Sequence, residues 1–147
     1  MKNVMAAVDF SPVTDAVIET AAELAAALGG SMVILHVAAD ERDLVTHQIG
    51  PPSQRQWSGR DLERLRQRLE QIENTLKARG LPATALLVQG QVYDTIIDEA
   101  IRQNIDLLVM GTRGHGPLHH LLLGCVSQAV IESHCCRVLL VPKPAEK

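Results

Sequence analysis

Two glycine-opened segments, Gly111-Thr112-Arg113-Gly114 and Gly124-Cys125-Val126-Ser127, are the residues of this chain best suited to chemistry on an anion. Gly111 follows the apolar run Ile105–Met110, so the turn lies at the carboxyl end of an expected strand, where open α/β sheets bind ligands. Glycine lets backbone N–H groups approach an anion closely. Gly124 reads as a helix start, whose unpaired N–H groups and dipole favour a phosphate by about 0.3–1 kcal/mol beyond the hydrogen bonds themselves. Arg113 adds a nearby positive charge. An ordinary turn would satisfy the same glycines, but their place at a strand's carboxyl end favours phosphate.

Several phosphate chemistries are excluded. A P-loop needs Gly-Lys-Ser or Gly-Lys-Thr, and neither occurs. The dinucleotide fingerprint fails because Asp9-Phe10-Ser11-Pro12 has no glycine and Gly114-His115-Gly116 lacks a third glycine at position 119, which argues against NAD and FAD. His115, His119 and His120 lie close together, but adjacent His119 and His120 do not converge readily on one ion, and the loop from Thr112 to Leu123 holds no carboxylate. No metal site is expected there. His36 reads as a satisfied core residue. Adjacent Cys135 and Cys136 could bridge only through a strained ring and lack the usual zinc spacing, so with Cys125 they are expected to be reduced thiols. No paired nucleophile and general base presents itself.

The elements that must position these residues follow from the pattern. The 147 residues, 46% hydrophobic and 21% charged with a net charge of −3, suit one soluble domain without disulfides and give no footprint for nucleic acid. The start Met1–Asp9 is too short and too interrupted for a signal peptide or a membrane span, so a cytoplasmic location is expected. Five apolar runs, Val4–Val8, Met32–Val37, Ala83–Val88, Ile105–Met110 and Val138–Val141, read as strands covered on both faces.

Helical patterns lie between them. The first is expected to start at Ser11-Pro12, with Ser11 as cap, to carry Val13, Val17, Ala21, Leu24 and Leu28 on one side, and to stop at Gly29-Gly30. The second carries Leu62, Leu65, Leu69, Ile72 and Leu76, pairs Glu73 with Lys77, and stops at Gly80 and Pro82. A third spans about Val92 to Gln103 with Ile96, Ala100 and Ile101, and a fourth spans about Cys125 to Ser133 with Val126, Ala129 and Val130. Alternation of this kind predicts right-handed crossovers and a mostly parallel sheet with helices on both faces. The long segment Asp40–Gly59 reads as a flap over a ligand face or as a disordered insertion, and Trp57 as packing there or at the second helix.

The glycine pattern Gly111-x2-Gly114-x9-Gly124, the opening Val8-Asp9-Phe10-Ser11, the strand end Leu35-His36-Val37 and the close Val138-Leu139-Leu140-Val141-Pro142 resemble the universal stress protein family, over the whole chain and in its ATP-binding branch. The resemblance implies a single domain over residues 1–147 with a Rossmann-like open sheet of order 3-2-1-4-5. It also implies a cytoplasmic, stress-responsive module that holds ATP, or ADP or AMP, with Mg²⁺; the glycine motif suggests micromolar-range affinity, and the uncharged edge strand Val138–Val141, through which relatives pair, suggests a homodimer. Carried over by position, the nucleotide contacts fall on Ala7, Val8 and Asp9, on the Val37 backbone beside the adenine, on Met110, Gly111, Arg113 and Gly114, and on Gly124, Cys125, Val126 and Ser127 around the phosphates.

Asp9 suits a ribose or base donor or phosphate-bound Mg²⁺, or else a cap-like role before the helix at Pro12. Two positions depart from the family pattern. Cys125 stands where it has Ser or Thr, a weaker donor whose effect on affinity is roughly 2- to 10-fold. At a helix start beside Arg113 its thiol would be acidified, unless it merely fills the serine position. Val92 stands where many relatives have proline. A slow ATPase or nucleotidyl transferase using Asp9 or a loop histidine, and a dimeric scaffold that binds no nucleotide, are the alternatives.

Overall fold

A computed structural model describes residues 2–39, 59–112 and 125–142. The chain order is β1 (Asn3–Ala7), α1 (Thr14–Ala27), β2 (Ser31–Ala39), α2 (Gly59–Ala78), β3 (Ala83–Gly90), α3 (Val92–Arg102), β4 (Leu107–Gly111), α4 (Cys125–Ser133) and β5 (Arg137–Val141). The five strands form one sheet in the order β3-β2-β1-β4-β5 with every pair parallel. Consecutive side chains of β1 and β4 are buried because both faces of the sheet are covered, which is why their sequences are apolar without alternation.

One core layer packs Val17, Ala21 and Ala25 of α1 and Leu69 and Leu76 of α2 against Val4, Ala6, Ile34 and Val109. The opposite layer packs Ile96 and Ala100 of α3 and Val130 of α4 against Met5, Leu35, Leu108 and Met110. Ile101 is 61% exposed, contrary to its expected place in the α3 stripe. Each helical residue turns the chain by about 100°, so the position after buried Ala100 has already left the core-facing stripe.

The start of the first helix also differs from expectation. Helix α1 begins at Thr14 behind Val13, and no side chain caps it. Ser11 contributes its carbonyl, which accepts from the Thr14 amide at 3.0 Å. Among the described residues, the hydroxyls of Ser11 and Thr14 are buried without partners. The carboxyl end of α2 follows the sequence: Lys77 meets Glu73 at 2.6 Å, and Gly80 takes φ +84° to end the element. Glu73 also accepts from the Ala85 amide at 2.7 Å, satisfying a donor on the outer side of edge strand β3. Its carboxylate is held below the usual range by Lys77 and that amide.

At the amino end of the sheet, Asp106 accepts from the amides of Lys2 and Asn3 at 2.9 and 3.0 Å and ties the start of β1 to the segment entering β4. Beside it, the Ser31 amide donates to the Lys2 carbonyl at 2.8 Å, and Gly30 lies directly against that carbonyl.

Candidate functional site

Helices α1 and α2 cover one face of the sheet while α3 and α4 cover the other, so the winding direction reverses between β1 and β4. At such a switch point the connections leave the carboxyl ends of the neighbouring strands in opposite directions and open a crevice. Asp9 follows β1 and Gly111 ends β4, so both stand at its mouth.

The crevice is shaped by an unequal ladder. The β1–β2 pairing ends at Ala7 and Leu35, followed by a last rung from the Val8 amide to the Leu35 carbonyl at 2.9 Å, whereas β2 continues to Ala39 along β3. Backbone groups alternate sides along a parallel strand. Ser31 and Leu35 bond toward β1 and Met32 toward β3, so the Val37 N–H and C=O face the β1 side beyond the end of β1. The next rung would need the Val8 carbonyl, and His36 Nδ1 donates to that carbonyl at 2.7 Å instead. Val37 thus presents a donor and an acceptor side by side toward the crevice.

Asp9 is exposed, and its Oδ1 accepts from the Ser11 amide at 3.0 Å. Phe10 between them takes a left-handed φ of +58°, unusual for an aromatic residue. Its ring lies 4.8 Å from the His36 ring, and the Arg68 guanidinium of α2 sits 3.9 Å over it. A cation over an aromatic face contributes about 0.5–1 kcal/mol at an exposed site. Phe10 and Arg68 had no signal as site residues in the sequence, because their contact joins positions 58 residues apart in the numbering.

Burial holds His36 below the ordinary imidazole range, an effect that Arg68 reinforces and that the Val8 carbonyl and Asp9 oppose. The ring is therefore neutral and carries its proton on Nδ1, since a carbonyl can only accept. A histidine with a lowered folded-state pKa is stabilising above its unfolded value of 6.5, and that contribution is lost as pH falls from there toward the folded value. Urea unfolding is expected to show stability falling below pH 6.5 by up to about 1.4 kcal/mol per pH unit from this group. His36→Asn keeps a donor near Nδ1 and should flatten that segment of the profile. An unchanged slope in the variant would assign the dependence elsewhere.

The other expected site residues divide clearly. Ala7 ends β1 and Gly111 ends β4 beside the crevice; Val126 is half-buried in the first turn of α4. Met110 is 5% exposed, so only its backbone can reach a ligand. Val8 is buried with both backbone groups used, and its place is to fix Asp9. Ser127 is 2% exposed, and its Oγ donates to the Gly111 carbonyl at 3.0 Å, with the Thr112 carbonyl at 3.3 Å. Its single hydroxyl proton is committed to fastening α4 against the glycine turn. Arg113, Gly114, Gly124, the side chain of Cys125, the loop histidines, Trp57 and the segment 40–58 lie outside the described residues. A separate open depression of about 460 Å³, lined by Asn3, Ser31, Lys77 and Thr84, lies at the amino ends of the strands, away from this crevice.

A model of the universal stress protein family matches residues 1–142. The chain belongs to the universal stress protein family. Universal stress protein A homolog 1 of Coxiella burnetii is 31% identical over 140 residues, covering 95% of each chain. A Thermus aquaticus universal stress protein is 43% identical over 84 residues, a match that covers 54% of this chain and 61% of that one. The solved structure of Methanocaldococcus jannaschii MJ0577 superposes with a TM-score of 0.79 at 20% identity, covering 99% and 98% of the two chains. Two other solved family members are complexes, one with cAMP (TM-score 0.67, 21% identity, 97% and 98% covered) and one from Archaeoglobus fulgidus with dAMP (0.67, 20%, 95% and 97%).

Proposed function

We propose that this universal stress protein binds an adenine nucleotide, ATP with Mg²⁺, in the crevice between the carboxyl ends of β1 and β4, and acts as a cytoplasmic, homodimeric regulatory module. The observation that carries the reading is the overhang of β2, which turns the Val37 N–H and C=O toward the gap beside Asp9. One donor and one acceptor side by side match the N1 acceptor and N6 donor of adenine. The structures of relatives in complex with cAMP and dAMP support the same ligand class.

In this reading Asp9 faces the ribose or the metal. Its Oδ1 already accepts one amide, leaving Oδ2 for a cation that takes its remaining ligands from phosphate and water. Gly111, Arg113, Gly114 and Gly124 to Ser127 surround the phosphates, with Ser127 holding the turn in place. Mg²⁺ would neutralise phosphate charge there. Strand β5 is a sheet edge whose Val138–Val141 run carries no charge, which favours pairing with a second copy.

The test is the nucleotide content of protein purified without added ligand, identified by mass spectrometry, with the molar mass read by light scattering. ATP retained on a dimer is the expected result. A nucleotide-free chain that also fails to take up added ATP would overturn the binding assignment, and a monomer at tens of micromolar would overturn the pairing.

A further inference from the structure

We propose that Cys135 and Cys136 form a vicinal dithiol site that captures a trivalent arsenical, with one arsenic atom bonded to both sulfurs. Residues adjacent in a regular strand point to opposite faces, but here the chain enters from His134 at φ +57°, in the turn between α4 and β5. The Sγ atoms stand 3.7 Å apart. The turn is fixed by Ser133, whose Oγ donates to the Val130 carbonyl at 2.6 Å and accepts from the Cys135 amide at 3.3 Å. Both cysteines are half-buried against the core layer of Met5, Leu108 and Val130. The pair is thus held in place and still reachable.

The separation matches the bite of a single soft atom. Two sulfurs each about 2.3 Å from one centre at a near-tetrahedral angle are about 3.8 Å apart. Arsenic(III) has smaller bond angles, and a small side-chain rotation closes the difference. Among the described residues no three His, Cys, Asp or Glu side chains converge, so a four-coordinate ion would find only half its shell here. An organic arsenical, R–As(OH)₂, needs only two sulfurs, because the carbon group fills its third position.

Protonation favours the same choice. Burial and the neighbouring Cys135 push the Cys136 thiol up to about 12, so it stays neutral at physiological pH. Metal ligation requires thiolates. The arsenical condenses with thiols instead: two As–S bonds form, two As–OH bonds break, and each hydroxide leaves with a thiol proton as water. Arsenic stays trivalent and nothing is oxidised. The site lies at the far end of α4 from Cys125, about 13 Å along the helix, and does not rest on the nucleotide reading.

The experiment treats the whole protein with phenylarsine oxide and reads intact mass, then maps protection of each cysteine from iodoacetamide. One phenylarsine group per chain is expected, protecting Cys135 and Cys136 but not Cys125, resisting excess glutathione and leaving with dithiothreitol. Cys135→Ser or Cys136→Ser should cut the glutathione needed for release by about 100-fold, because the second bond of the chelate is intramolecular. No adduct, an adduct that protects Cys125 instead, or one equally retained in either variant would overturn the site. Where a variant does not fold, the protection map of the parent protein decides alone.

Discussion

Replacing Gly30 by alanine is expected to destabilise the fold by about 3 kcal/mol or more, lowering the melting temperature by roughly 10 °C. An added Cβ would lie 1.9 Å from the Lys2 carbonyl oxygen, 2.6 Å from its carbon and 2.9 Å from the Lys2 Cα. These are backbone atoms that cannot rotate away. The carbonyl accepts from Ser31, while the Lys2 amide is held by Asp106. Relieving the clash therefore means parting the first rungs of β1 and β2 at the centre of the sheet. Gly29→Ala is the control: no described residue lies within 4 Å of its Cβ, and its φ of +64° costs about 1–2 kcal/mol. Urea unfolding of the two variants should rank Gly30→Ala as clearly the more damaging. Equal losses would mean that the close approach of Gly30 to Lys2 is not a real constraint.

Gly29-Gly30 illustrates what the sequence carried and what it did not. As a helix stop the pair was legible, because the left-handed residue after a helix is commonly glycine. The need for Gly30 was not, because it arises from a contact with residue 2, across the sheet. The same division runs through the molecule. The strands, the stop of α2 and the Glu73–Lys77 pair follow from local pattern, and the structure has them. The order 3-2-1-4-5 came from the family resemblance, since apolar runs identify strands without saying which are neighbours.

Ser11-Pro12 has the composition of a helix start, yet the turn set by Asp9 and left-handed Phe10 delays α1 to Thr14. At the candidate site, Asp9 and Gly111 were legible as residues at strand ends. The committed hydroxyl of Ser127 was not, because its acceptor lies 16 residues away in the chain. Nor was the exchange by which His36 takes the Val8 carbonyl and leaves the Val37 backbone facing the crevice, which only the register of β1 against β2 reveals.

Millimolar ATP with Mg²⁺ should raise the melting temperature by about 10 °C. A ligand that binds only the folded state stabilises it by about 4 kcal/mol at a thousandfold excess over its Kd, and the proposed micromolar-range affinity would put that excess near a millimolar concentration. For a chain of this length each kcal/mol moves the midpoint by about 3 °C. Two variants separate the roles assigned to the glycine loop and to Ser127. If the phosphates lie on the glycine loop as proposed, Gly114→Leu should abolish the ATP-dependent shift while leaving the unliganded midpoint within a few degrees. Ser127→Ala should do the reverse. It removes a buried hydrogen bond to Gly111 and costs about 1–2 kcal/mol without ligand, but because that hydroxyl proton is committed to the carbonyl, most of the ATP-dependent shift should remain. Calorimetric titration of the same variants checks that the shifts report binding. If Gly114→Leu binds ATP as tightly as the parent chain, the phosphates are not held by this loop; if Ser127→Ala alone loses binding, Ser127 serves the phosphate directly and not the turn.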